Sequence, residues 1–138
     1  MIYVTGDCHG NFRRFQSDCF PEQANMTKDD TVIITGDFGG VWFGDSRDDE
    51  TLDWLERLPF TLAFVCGNHE NYDALERYPV AEWHGGKVHR IRSHVLHLMR
   101  GQVFELEGYH FFTMGGAKSM IRRTAFWNRV LRILNESS

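Results

Sequence analysis

Short apolar runs recur along the chain, and the first three each lead into a glycine and then a polar side chain. They are Ile2-Tyr3-Val4-Thr5-Gly6-Asp7, Val32-Ile33-Ile34-Thr35-Gly36-Asp37 and Leu62-Ala63-Phe64-Val65-Cys66-Gly67-Asn68. Unbroken apolar runs of this length fit strands covered on both faces, as in a parallel sheet. Between them the period lengthens: Phe12, Phe15 and Cys19 predict a helix over 11–19, and Leu52, Leu55 and Leu58 one over 48–58. Strand and helix thus alternate as βαβαβ. A short third helix is predicted over 71–78, ended by Pro79, which cannot continue one. Beyond it, Glu82-Trp83-His84-Gly85-Gly86 reads as a turn, followed by strands over 87–91, 95–99, 102–106 and 109–114. Glu107-Gly108 suits a tight hairpin between the last two. This half extends the sheet system in a mostly antiparallel way. Ala125, Trp127, Val130, Leu131 and Leu134 predict a closing amphipathic helix over 121–134. The expected class is α/β, in one domain over 1–138.

Composition narrows the picture little. A chain of 138 residues buries roughly two-thirds of its unfolded surface, and 42% hydrophobic with 25% charged residues is an ordinary globular balance. The chain reaches Asp7 without a basic leader or an apolar signal core, and it has no 18-residue apolar run; no membrane span and a cytoplasmic location are expected. Cys8, Cys19 and Cys66 are odd in number and lack CxxC spacing, so they read as reduced thiols. The net charge of -4 gives no general reason to expect nucleic acid. Residues 29–56 are acidic, and residues 118–132 carry Lys118, Arg122, Arg123, Arg129 and Arg132; both stretches read as solvated faces.

The chemistry lies where the first three strands end. If they are parallel neighbours, their C-terminal ends form one edge, where ligands bind in α/β sheets. Asp7 and His9, two residues apart, point to one side of extended backbone while Cys8 points away. Gly36-Asp37-Phe38-Gly39-Gly40 offers a carboxylate able to bridge two cations, and Gly67-Asn68-His69-Glu70 an amide oxygen beside an imidazole. Oxygen and imidazole donors without thiolate suit Mn²⁺, Fe, Zn²⁺ or Mg²⁺.

In order, and at roughly thirty-residue intervals, Asp7-Cys8-His9, Gly36-Asp37-Phe38-Gly39-Gly40 and Gly67-Asn68-His69-Glu70 resemble the calcineurin-like metallophosphoesterase family. With the stretch from Val103 to Ser119, which is similar to the middle of small bacterial and phage-type members, the resemblance covers about residues 1–116. It implies a β-sandwich flanked by helices and a two-metal site in which a metal-bound hydroxide attacks the phosphorus of a phosphate ester. By motif position, Asp7 and His9 would hold the first metal, Asp37 would bridge both, and Asn68 would hold the second and contact phosphate. His69 would stabilise the transition state or protonate the leaving oxygen.

The chain departs from that family in one respect. Members carry three further C-terminal histidines, two of them in a Gly-His-x-His motif that this sequence lacks. The second metal site is therefore expected to bind weakly, with the sandwich incomplete at its C-terminal side. A truncated chain, a protein that has lost catalysis, and a subunit completed by another chain all fit this departure. An open sheet edge would then be covered by self-association or by the helix over 121–134. A catalytically impaired metal- or phosphate-binding remnant acting through protein association is the alternative function.

The remaining features have plainer readings. His84, His89, His94 and His97 straddle a turn and two strands, which suggests separate surface or packing roles. His110 falls on a strand and is not a ligand candidate. Trp42, Trp54, Trp83 and Trp127 suggest core and rim packing, and Arg13 and Arg14 the solvent face of the first helix.

Overall fold

A computed structural model describes residues 1–6, 8–66, 70–113, 120–123 and 131–134, the last two segments by their backbone. The apolar runs form β1 (Ile2–Thr5), β2 (Thr31–Thr35) and β3 (Thr61–Val65), parallel neighbours with Ile2 opposite Thr31 and Thr31 opposite Thr61. Next come β4 (Val80–Trp83), β5 (Gly86–Arg92) and β6 (Val95–Leu98). Strand β6 joins β3 in parallel, β5 pairs antiparallel with β6, and β4 with β5. β7 (Val103–Leu106), β8 (Tyr109–Phe112) and β9 (Met120–Arg123) form a second, antiparallel sheet, and β10 (Leu131–Leu134) returns to pair with β1. The large sheet has the order β10-β1-β2-β3-β6-β5-β4.

Side-chain alternation divides the interior into two cores. Tyr3, Val32, Ile34, Leu62 and Phe64 face the helical layer with Phe15, Phe38, Phe60, Leu52 and Leu55. Ile2, Val4, Ile33, Ala63 and Val65 face the second sheet and meet Phe104, Leu106, Tyr109 and Phe111. The architecture is therefore a two-sheet sandwich with helices on one outer face, as the resemblance implies. Gly86 marks a close approach of the sheets: a Cβ there would lie 2.6 Å from the Phe104 ring.

Helix α1 (Asp49–Glu56) buries Leu52 and Leu55 and starts with Asp49 and Glu50, whose charges favour a helix N-terminus. Arg92 of β5 clamps it through Asp49 at 3.0 Å and Asp53 at 2.9 Å. Helix α2 (Tyr72–Glu76) is capped by the Asn71 side chain, which accepts from the Ala74 amide at 3.1 Å. The β7–β8 hairpin turns through Glu107 and Gly108, both at positive φ, as the Glu-Gly step predicts.

Three expectations are corrected. The segment over 11–19 is a 3₁₀ turn at Arg13–Phe15, followed by another at Pro21–Asn25. Burial of Phe12 and Phe15 needs only one tight turn, and Arg14 is drawn back to β1, donating to Thr5 Oγ1 at 2.6 Å and to the Gly6 carbonyl. The turn read at 82–86 starts later, at His84-Gly85, because Val80–Trp83 forms an edge strand whose half-exposed pattern hides it. Over 121–134 the described residues lie in β9 and β10 rather than a helix. Strand β10 pairs the outer backbone groups of β1, Ile2 with Leu131 through Thr5 with Leu134, which a helix laid on that edge would leave open. Residues 124–130 lie outside the described residues. No helix among the described residues is long and apolar enough to cross a membrane.

Phe104 is fully buried between the sheets. Phe104→Ala is expected to cost about 3–5 kcal/mol, read as a lower urea midpoint. A loss below about 1 kcal/mol would show that the second sheet is not packed on the first.

Candidate metal centre

The loops after β1 and β2 meet at the C-terminal edge of the parallel strands. The carbonyl of Asp37 accepts two amides, from Cys8 at 3.1 Å and His9 at 2.7 Å, and the Phe38 carbonyl accepts from Gly10 at 2.9 Å. Thr35 Oγ1 donates to the Thr5 carbonyl at 3.1 Å, tying the strand ends just below. So close an approach requires glycine: a Cβ on Gly39, at φ +75°, would stand 2.4 Å from the Gly10 nitrogen.

Both candidate ligands in these loops adopt left-handed backbone, His9 at φ +50° and Asp37 at φ +40°. Non-glycine residues in that region carry strain of order 1–3 kcal/mol and cluster at functional sites. The geometry brings His9 Nε2 to 3.7 Å from Asp37 Oδ2; the imidazole is 56% exposed and the carboxylate 13%. That spacing leaves both donors able to turn toward one cation, and their chemistry suits a borderline or hard metal. Of the other residues assigned by motif, Asp7, Asn68 and His69 lie outside the described residues. Among the described residues no group of three or more His, Cys, Asp or Glu is placed to hold an ion.

Phe38 explains why Asp37 faces the edge. Its ring is fully buried and stacks on Phe64 of β3 at 3.8 Å between centroids, with planes 10° apart. Phe12 and Phe64 continue the stack on either side, and Phe64 in turn lies against His97 at 5.2 Å. A Cβ on Gly40 would come within 2.6 Å of the Phe38 ring, so this residue too must be glycine.

Motif position assigns Glu70 no role. Its carboxylate accepts from the backbone amides of Phe38 and, at 3.3 Å, of Gly39, holding the Asp37 loop from the side of the third motif. Its place directly after Asn68-His69 was the only signal available.

Two histidines whose spacing suggests separate roles are united by the fold. His89 and His97 are cross-strand partners in β5 and β6; their rings stack at 5.2 Å, and the two Nδ1 atoms are 3.0 Å apart. His97 Nε2 lies 2.7 Å from Cys66 Sγ, at the end of β3. Burial, with the Glu70 carboxylate adding to it, pushes the Cys66 thiol up to about 12, so it keeps its proton. Burial and the neighbouring His89 push His97 down to about 3, so it stays neutral. The thiol therefore donates to His97 Nε2, and His97 donates from Nδ1 to His89. Burial also lowers His89. The other two histidines are apart, as expected: His94 pairs with Glu56 at 2.8 Å, and His84 stands edge-on to Trp83. Arg14 braces β1, and the basic stretch over 118–132 carries no described side chain. Trp54 and Trp83 pack against the two cores, whereas Trp42 is 53% exposed.

A family model described as Metallophos: Calcineurin-like phosphoesterase matches residues 1–135, beyond the 1–116 that the motifs cover. No curated protein and no solved structure matches the chain.

Two outcomes are expected. Glu70→Ala removes the acceptor for two loop amides and should cost about 1–3 kcal/mol, with Glu70→Gln recovering part of it in the same denaturant titration; equal stability of parent and Glu70→Ala would contradict the bracing role. His97 binds a proton more weakly folded than unfolded, so its contribution to stability is complete above its ordinary value near 6.5 and is lost as pH falls toward about 3. Between pH 7 and 5 it should account for about 2 kcal/mol of lost stability. His97→Phe should flatten that decline, and parallel pH profiles for the two proteins would contradict the assignment.

Proposed function

The chain belongs to the calcineurin-like phosphoesterase family, and from that premise we propose that it hydrolyses phosphoric esters at a two-metal site on the C-terminal edge of β1–β3. The family places it among phosphoesterases in general and among proteins that bind divalent metals. The convergence of His9 and Asp37 on two interlaced, strained loops carries the finer reading.

In this reading Asp7, His9, Asp37 and Asn68 would hold divalent cations, with Mn²⁺ the first choice and Fe, Zn²⁺ or Mg²⁺ the alternatives. Such cations neutralise the ester and lower the pKa of water. Asp37 would hold metal through its carboxylate, whose loop Glu70 and Phe38 fix in place. Asn68 supplies an oxygen without adding negative charge that would repel an anionic ester. His69 donates a proton to the departing oxygen. Because His9 is the more exposed of the two described ligands, it faces the side from which substrate enters.

A second reading, a non-catalytic metal- or phosphate-binding module that acts through protein association, is favoured by one observation: the sequence has no Gly-His-x-His. Hydrolysis of a chromogenic phosphodiester with Mn²⁺ separates the two. The parent should turn over only with metal, and Asp37→Asn should lower kcat/KM roughly 100-fold or more. A folded, metal-loaded parent without turnover would favour the binding module, and turnover indifferent to Asp37 would refute the proposed site.

A further inference from the structure

A cleft of about 490 Å³ opens beside His9, with Gly10, Gly39 and Gly40 as its floor and Trp42, Phe43, Arg47, Asp48 and Thr51 around it. Its size is that of a site for one small ligand. Two of its walls are large aromatic side chains left exposed: Trp42 is 53% and Phe43 50% exposed.

These rings are not on a loose loop. The buried carboxylate of Asp48 accepts from the amides of Phe43 at 3.2 Å and Gly44 at 2.8 Å, and Asn71 Nδ2 donates to the Trp42 carbonyl at 2.8 Å. Backbone fixed from α1 on one side and α2 on the other thus holds two aromatic side chains in water. Arg47 completes the wall. Its guanidinium lies 4.1 Å from the Phe43 ring centroid, and Asp45 grips it through Nε at 3.0 Å and Nη2 at 2.7 Å, which fixes its plane.

We infer that this cleft receives the base of a nucleotide, so that the phosphate ester handled at the adjoining site carries a flat heteroaromatic group. The inference rests on the phosphoesterase reading for the phosphate end only. A phosphate held at His9 and Asp37 directs the organic part of its ester either into solvent or into this cleft, because His9 is a wall of both. Aromatic faces and a clamped guanidinium attract a flat heteroaromatic ring through stacking and cation–π contact and gain little from an aliphatic chain. The glycine floor has no side chain to obstruct such a ring. Arg47 and Thr51 offer polar groups to its edge.

Adenosine 5′-monophosphate and ribose 5-phosphate share phosphate and sugar and differ in the base, so calorimetric titration of both, with Mn²⁺ present, isolates the cleft. The nucleotide should bind at least tenfold tighter. Replacing Trp42 and Phe43 together by Ala should abolish the difference while leaving the urea midpoint unchanged, as befits exposed residues, and Trp42→Phe should preserve most of it. Equal binding of the two probes, no binding of either, or discrimination that survives the double replacement would overturn the inference. Failure of the two readings is distinguishable: base discrimination without ester turnover removes the phosphoesterase reading alone, and metal-dependent turnover without discrimination removes this one alone.

Discussion

The carbonyl of Asp37 is the joint at which the loops leaving the first two parallel strands meet. By accepting the amides of both Cys8 and His9 it draws two loops from neighbouring parallel strands into contact, and that contact puts His9 and Asp37 within reach of one cation. The arrangement is strained, since both residues adopt left-handed backbone. It persists because its surroundings leave no alternative. Phe38 is locked on Phe64 below, Glu70 takes the Phe38 and Gly39 amides from the side, and Gly39 allows an approach no other residue could make. The bulk of the fold serves to hold these few atoms: parallel strands align the loops, and two cores fix the strands.

The aromatic stack carries this rigidity further. Phe12, Phe38, Phe64, His97 and His89 lie ring against ring beneath the edge, spanning the helical side of the sheet from the first loop to β5. Its imidazole end reaches Cys66, the last described residue before the third motif. The two histidines therefore support the C-terminal end of β3 at Cys66. Their neutrality is the condition for it, because burial penalises a charge on either ring.

What the sequence disclosed and what it concealed follow from range. The three β-type runs and their terminal Gly-polar steps are local, and they revealed the parallel strands and the family. The Glu107-Gly108 hairpin was equally local. Concealed features depend on partners distant in sequence. Phe12 and Phe15 satisfy a 3₁₀ turn as well as an α-helix, and only Arg14 reaching back to Thr5 decides between them. His89 and His97 meet through an antiparallel register with a shift between Arg90 and Arg92, which spacing alone does not reveal. Leu131, Ile133 and Leu134 suit either a helix face or a strand; the free edge of β1 selects the strand. Trp42 looked like packing material because sequence cannot show that Asp48 and Asn71 hold its loop away from the core.

The claim on which the rest turns is that His9 and Asp37 share a cation. Anomalous diffraction from a crystal soaked in Mn²⁺, recorded at the manganese edge, addresses it without reference to turnover. The account predicts a peak within coordination distance of both His9 Nε2 and the Asp37 carboxylate. Manganese bound elsewhere, with those two atoms left to each other at the edge of the sheet, would contradict it.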